Sequence, residues 1–317
     1  MLNKKLYVII LAILLAIIFA YSITPYFYYR LNTDFKRTKF IVKALNSEES
    51  PMTLLFGNSI LMSGINAKIL SNNSSENLIY NLATSGQSLK ESFLFYTKVP
   101  SSVKAVYQFV MVGQLEHSIA PLSENIIRNL IMSDYHFDSK KDTLLPADET
   151  TYFLKNNILI NYQARTVFLN SYNHMFRKLM RKDLLIDSNT ENLYYPFLYT
   201  QKLDEKTYHK VIEKYNPRSP QITFHPDSNT IKYLIKANTY FQNRGITYYV
   251  VLYPLNPDLS NITLNYKTDA MQKLSAVQQV HFINCMDILG NESFVDQFHM
   301  NNEGAIKFSN YLKTYIQ

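Results

Sequence analysis

Short, largely apolar stretches alternating with helix-periodic ones recur along residues 53–112 and again along 225–317. Thr53–Phe56 is stopped by Gly57; Leu78–Leu82, Val103–Val112, Ile246–Tyr253 and His281–Asn284 continue the series. Largely apolar runs suit strands covered on both faces, and the helical stretches between them supply the crossovers that parallel pairing needs. Those stretches are Ile60–Leu70, Gln87–Thr97, Ile231–Phe241 closed by Gly245, Asp269–Gln278, and Asn302–Ile316 with Asn301 as N-cap. The pattern predicts an α/β domain: a parallel sheet of about five strands with helices on both faces.

A second feature stands apart from that rhythm. Lys4 and Lys5 precede an apolar run from Leu6 to Ala20, extended by Tyr21, Ser22 and Ile23. As a helix the run would extend about 27 Å, close to the ~30 Å of a bilayer core. Pro25 is expected to close it, and Tyr26, Phe27, Tyr28 and Tyr29 suit a membrane interface. Ala20-Tyr21-Ser22 makes a poor cleavage site, so an uncleaved anchor is favoured over a signal peptide. The flanking lysines favour a cytoplasmic N-terminus, with the rest of the chain across the membrane. The expected organisation is a cytoplasmic stub and transmembrane anchor (1–29), a stalk (30–50), and a domain over 51–317 interrupted by a helical insertion at about 114–221. Within the stalk, Phe35, Ile41, Val42 and Leu45 suit a short amphipathic helix; within the insertion, helices are expected near Glu124–Met132 and Arg165–Leu185. The insertion reads equally as ordinary outer structure or as a cap over a substrate.

The net charge is +7, partly concentrated at Arg30, Lys36, Arg37, Lys39 and Lys43, where it would sit beside lipid headgroups. No Arg-rich run, zinc-finger spacing or RNA-binding aromatic signature occurs, so no nucleic-acid partner is expected. The chain has seven glycines and lacks the phosphate-cradling and dinucleotide-binding patterns and the G-x-S-x-G elbow. With one cysteine, Cys285, in an apolar run, neither a disulfide nor a cysteine-based zinc cage is available. His225, Asp227 and His281 show no repeating ligand spacing, and no metal or cofactor is expected.

Chemistry concentrates at the ends of the two βα blocks. Gly57-Asn58-Ser59 follows the first strand, at the sheet edge where ligands bind, and opens a helix whose N-terminus favours developing negative charge. Alone, such a serine also reads as a helix cap. Asp296-Gln297-Phe298-His299 lies in the loop before the last helix; this spacing lets the carboxylate turn back onto the imidazole, fix its tautomer and leave the other ring nitrogen to accept a proton.

Together these blocks resemble the SGNH (GDSL-like) hydrolase superfamily, which has its serine in a turn after the opening strand and D-x-x-H before a closing helix. The resemblance covers about residues 53–112 and 225–317 and implies a three-layer, flavodoxin-like domain. It implies Ser59, His299 and Asp296 as the catalytic triad, and the N–H groups of Ser59 and Gly86, in Asn81-Leu-Ala-Thr-Ser-Gly86, as oxyanion donors. Asn58 stands where the family usually has aspartate, and the asparagine of the third block is not evident; Gln114 is the candidate amide in its place. The layout is similar to membrane-anchored relatives that modify envelope polymers, as in alginate O-acetylation and teichoic-acid D-alanylation. That implies an extracytoplasmic serine esterase or O-acyltransferase acting on an envelope glycan or polyol, beside a polytopic membrane O-acyltransferase. The alternatives are an SGNH scaffold that binds such a polymer or partner without turnover, and an assembly subunit with Tyr-rich contact surfaces.

Overall fold

The computed structural model describes residues 4–31, 33–47, 53–71, 78–119, 122–131, 133, 135, 144, 186–188, 192–199, 203–216, 221–260 and 262–316. Strands β1 (Thr53–Phe56), β2 (Ile79–Asn81) and β3 (Ala105–Val110) come from the first block. β4 (Ile186–Ser188) and β5 (Phe197–Tyr199) form a separate antiparallel ribbon. β6 (Thr247–Leu252) and β7 (His281–Asn284) complete a five-stranded sheet of order β2-β1-β3-β6-β7. All four pairings in that sheet are parallel. The order reverses at β1, between β2 and β3, which creates a crevice beyond the carboxyl ends of these strands.

Alternate strand residues feed two separate cores, as a sheet covered on both faces requires. Leu54, Phe56, Val106, Val110, Tyr248, Val250 and Leu252 enter one; Leu55, Tyr107, Phe109, Val251 and Tyr253 enter the other. On the first face lie α2 (Thr33–Leu45), α5 (Leu89–Tyr96), α6 (Glu124–Ile131), α8 (Ser228–Gln242) and α9 (Leu264–Ser275). On the second lie α3 (Ser59–Gly64), α4 (Ala67–Leu70) and α10 (Asn302–Leu312). The molecule is therefore α/β, with three layers around a parallel sheet.

Several boundaries differ from the sequence expectation. The stretch Ile60–Leu70 is broken into α3 and α4, because Ile65 is extended and Asn66 caps a new helix by accepting from the Lys68 N–H. α9 begins at Leu264 rather than Asp269, since the Thr263 hydroxyl caps it through the Tyr266 N–H. α7 (Glu205–Tyr215), capped by Asp204, is a helix of the expected helical insertion that lies outside its two named stretches, Glu124–Met132 and Arg165–Leu185. The expected helix near Arg165–Leu185 falls outside the described residues.

At the N-terminus, α1 runs Lys4–Leu31 and continues past Pro25. A proline removes one backbone donor, and a long helix can continue beyond that loss. Side chains are described continuously for residues 6–19 of α1, and all are exposed. Among the described residues, no helix is long and apolar enough to cross a membrane.

The segment expected as a stalk is a helix set into the domain. Phe35, Ile41, Val42 and Leu45 of α2 are buried. Arg37, expected among the headgroup-facing basic residues, is 1% exposed. The reason is periodicity: Arg37, Ile41 and Leu45 lie four residues apart, on one helix face.

Candidate active site

β1 ends against a turn whose geometry leaves room only for glycine. A Cβ on Gly57 would lie 2.5 Å from the Tyr253 hydroxyl and 3.0 Å from Leu61. Asn58 then caps α3, its side chain accepting from the Ile60 N–H at 3.0 Å. Ser59 is thus relieved of the capping role and takes the first helical position, half-buried. Beneath the turn, the Tyr253 hydroxyl is buried, with no hydrogen bond of ordinary geometry among the described residues and only the Asn58 and Leu61 N–H groups close by. Burial is the main cause holding its pKa above the usual tyrosine range, countered by the neighbouring Asn58 and Leu61 N–H groups.

The partner loop is pinned from several sides. Val295 N–H donates to the His299 carbonyl at 2.8 Å, and Asn301 N–H to Ser293 at 2.9 Å, closing a tight turn before α10. Asn301 caps α10 by accepting from the Gly304 N–H at 2.8 Å. Inside the turn, one Asp296 oxygen accepts from the Phe298 and His299 N–H groups at 2.8 and 2.7 Å. Its other oxygen lies 2.8 Å from His299 Nδ1. Met300, fully buried, packs against Gly64 at the end of α3 and so joins this loop to the serine's helix.

These constraints bring Ser59 Oγ to 3.0 Å from His299 Nε2, across 240 residues of sequence. With Asp296 accepting from Nδ1–H, Nε2 carries the lone pair and the serine hydroxyl donates to it. Burial pulls the Asp296 carboxyl upward, but the hydrogen bond and charge of His299 and the two backbone donors outweigh it. The net effect holds Asp296 below the ordinary aspartate value. The arrangement can activate a hydroxyl nucleophile and stabilise the imidazolium formed when the proton moves.

The candidate oxyanion donors sit on neighbouring loops. Gly86 occupies an exposed turn after β2 with φ +68°, a conformation that favours glycine. Thr84 opens that turn, and its N–H donates to the Gly57 carbonyl at 3.2 Å, which ties the turn to the serine's own. Gln114, exposed after β3, accepts from the Met111 N–H through its side-chain carbonyl at 2.9 Å, leaving its NH2 end as the donor. Gln114 also lines a cavity of about 180 Å³ with Ser88, Leu89, Val110, Leu115 and His117. The lining of that cavity does not include Ser59 or His299. Burial pushes the Cys285 thiol up to about 12, so it is a poor nucleophile at neutral pH.

One residue beside the site carries no motif in the sequence. Asn256 is buried and donates to the Asp296 carbonyl at 3.1 Å and to the Tyr208 hydroxyl at 2.9 Å. Tyr208, on α7, donates in turn to Asp258 at 2.8 Å. The available signal was position: Asn256 is a polar residue just past the carboxyl end of β6, on the ligand-binding edge. Compared with known proteins, the chain matches no family model and no curated protein.

Proposed function

We propose that the chain is a membrane-anchored, extracytoplasmic serine esterase or O-acyltransferase of the SGNH type, acting on acyl esters of a cell-envelope glycan or polyol. The observation that carries the proposal is the relay Ser59 Oγ–His299 Nε2 at 3.0 Å and His299 Nδ1–Asp296 at 2.8 Å. Its position beyond β1, where the strand order reverses, adds support.

In this reading Ser59 attacks the acyl carbonyl while His299 Nε2 takes the hydroxyl proton. Asp296 stabilises the imidazolium, and the N–H groups of Ser59 and Gly86 hold the oxyanion, with the Gln114 amide as third donor. Collapse of the tetrahedral intermediate expels the alcohol, which receives the proton from His299. Water or a sugar hydroxyl then attacks the acyl-enzyme; the first gives hydrolysis, the second transfer. Exposed apolar side chains along residues 6–19 of α1 support anchoring in lipid through Leu6–Ile23, with a polytopic acyltransferase as neighbour.

The test is hydrolysis of an aryl acetate by the full-length protein in detergent, with Ser59→Ala as control. Turnover by the native protein and loss in the variant are expected. Equal background rates in both, with no transfer to an added glycan acceptor, would sink the proposal.

A further inference from the structure

Arg37 enters the domain from α2, a single residue after α1 ends, and its guanidinium reaches three backbone carbonyls. Nε donates to Ala83 at 2.9 Å, one terminal nitrogen to Asn192 at 2.8 Å, and the other to Asn81. Burial lowers its pKa to about 9, which leaves it charged at neutral pH. A buried cation is costly unless its donors are matched, and the planar fork can serve diverging acceptors that a lysine's point charge cannot.

Two of the acceptors belong to the segment that leads from β2 into the Gly86 turn. The Asn81 side chain faces elsewhere, donating to the Leu61 and Ile65 carbonyls at 3.0 and 3.2 Å. The end of β2 is thus clamped between Arg37 and the serine's helix. One residue after the second clamped carbonyl, Thr84 N–H meets Gly57, and Gly86 follows two residues later. Ser59 stands on α3, and Asp296 and His299 on the loop before α10, neither of which Arg37 touches through these bonds.

We infer that Arg37 is a positioning residue for the oxyanion side of the site, setting the Gly86 turn from the helix joined to the N-terminal apolar segment. The inference rests on the acyl-ester reading for its kinetic consequence but not for its structural one. It makes α2 part of the working site: α2 follows the apolar helix after one residue, and its Arg37 side chain reaches the segment leading into the oxyanion turn.

The experiment uses R37K in the full-length protein in detergent, since this variant keeps the charge and chain length and removes the fork. Two quantities are read: Ser59-dependent aryl-acetate kinetics, and amide hydrogen exchange resolved by segment. A misplacement of the order of 1 Å costs about 10²-fold in rate, so kcat is expected to fall by about that factor with KM within about twofold. Amides of residues 82–87 are expected to exchange about tenfold faster, with β3, β6 and residues 294–301 unchanged. Unaltered kcat in an otherwise active protein overturns the inference. So does unaltered exchange at 82–87, or acceleration spread equally over the sheet, which would make Arg37 only a stabiliser. Should native protein and Ser59→Ala prove equally inactive, the acyl-ester reading fails, and the exchange pattern alone decides the role of Arg37.

Discussion

At the scale of single residues, each group near Ser59 has a separable task. Asp296→Asn would leave the turn in place but supply an amide that favours the wrong imidazole tautomer. A loss in kcat of about 10⁴-fold is expected from triad chemistry of this kind, measurable by steady-state kinetics. The same carboxyl predicts a pH effect on stability. Its folded pKa is depressed, so its contribution is present above the unfolded value of about 3.9 and is lost as pH falls through the folded value. Urea midpoints of the native protein should therefore drop on acidification below about pH 4, and drop less in Asp296→Asn. The Gly57–Tyr253 contact makes a third case. Gly57→Ala should cost about 1–3 kcal/mol through overpacking, and the cost should shrink in Tyr253→Phe, which removes the hydroxyl that a Cβ would strike.

At the scale of elements, legibility followed the strength of the local signal. β7 lies where its apolar run stands, and α10 opens at Asn302 behind its Asn301 cap, because a side-chain oxygen three residues before a donor is a sharp marker. The start of α9 is harder to read: its stripe Tyr266, Ala270 and Leu274 has only one member in the first turn, beside exposed Leu264, and the Thr263 cap is the sharper marker. α7 does carry a helical stripe, Tyr208, Val211, Ile212 and Tyr215, behind its Asp204 cap; only Ile212 of it is buried, and the stripe is short and set among charged residues. The triad spacing was readable because Asp296 and His299 share one turn. The Ser59–His299 meeting, by contrast, depends on Met300 against Gly64, a contact no local pattern encodes. Asn256→Ala tests how far the loop depends on support from α7. Lost hydrogen bonds to Asp296 and Tyr208 should lower stability by about 1–3 kcal/mol, read as a shift of the denaturation midpoint at unchanged slope.

At the scale of the whole molecule, the domain begins earlier than its strands suggest. Phe35, Ile41, Val42 and Leu45 of α2 are each buried, at about 1.5–3 kcal/mol apiece, against a typical total stability of about 5–15 kcal/mol. A fragment starting at Thr33 should fold and give a cooperative melt; one starting at Pro51 should not, as circular dichroism and thermal scans would show. The region between Gln114 and Gln221 has a similar claim to be integral. Leu193 offers its carbonyl to the Asn81 N–H at 2.6 Å, and Tyr194 offers its own to Ala67 at 2.9 Å. β2 is the outermost strand on that side, and an uncovered strand invites a second chain to pair with it. Residues 192–194 thus act as a selvedge that keeps the sheet from being extended by a neighbour. A minimal domain made by excising the insertion would be exposed to self-association into aggregates.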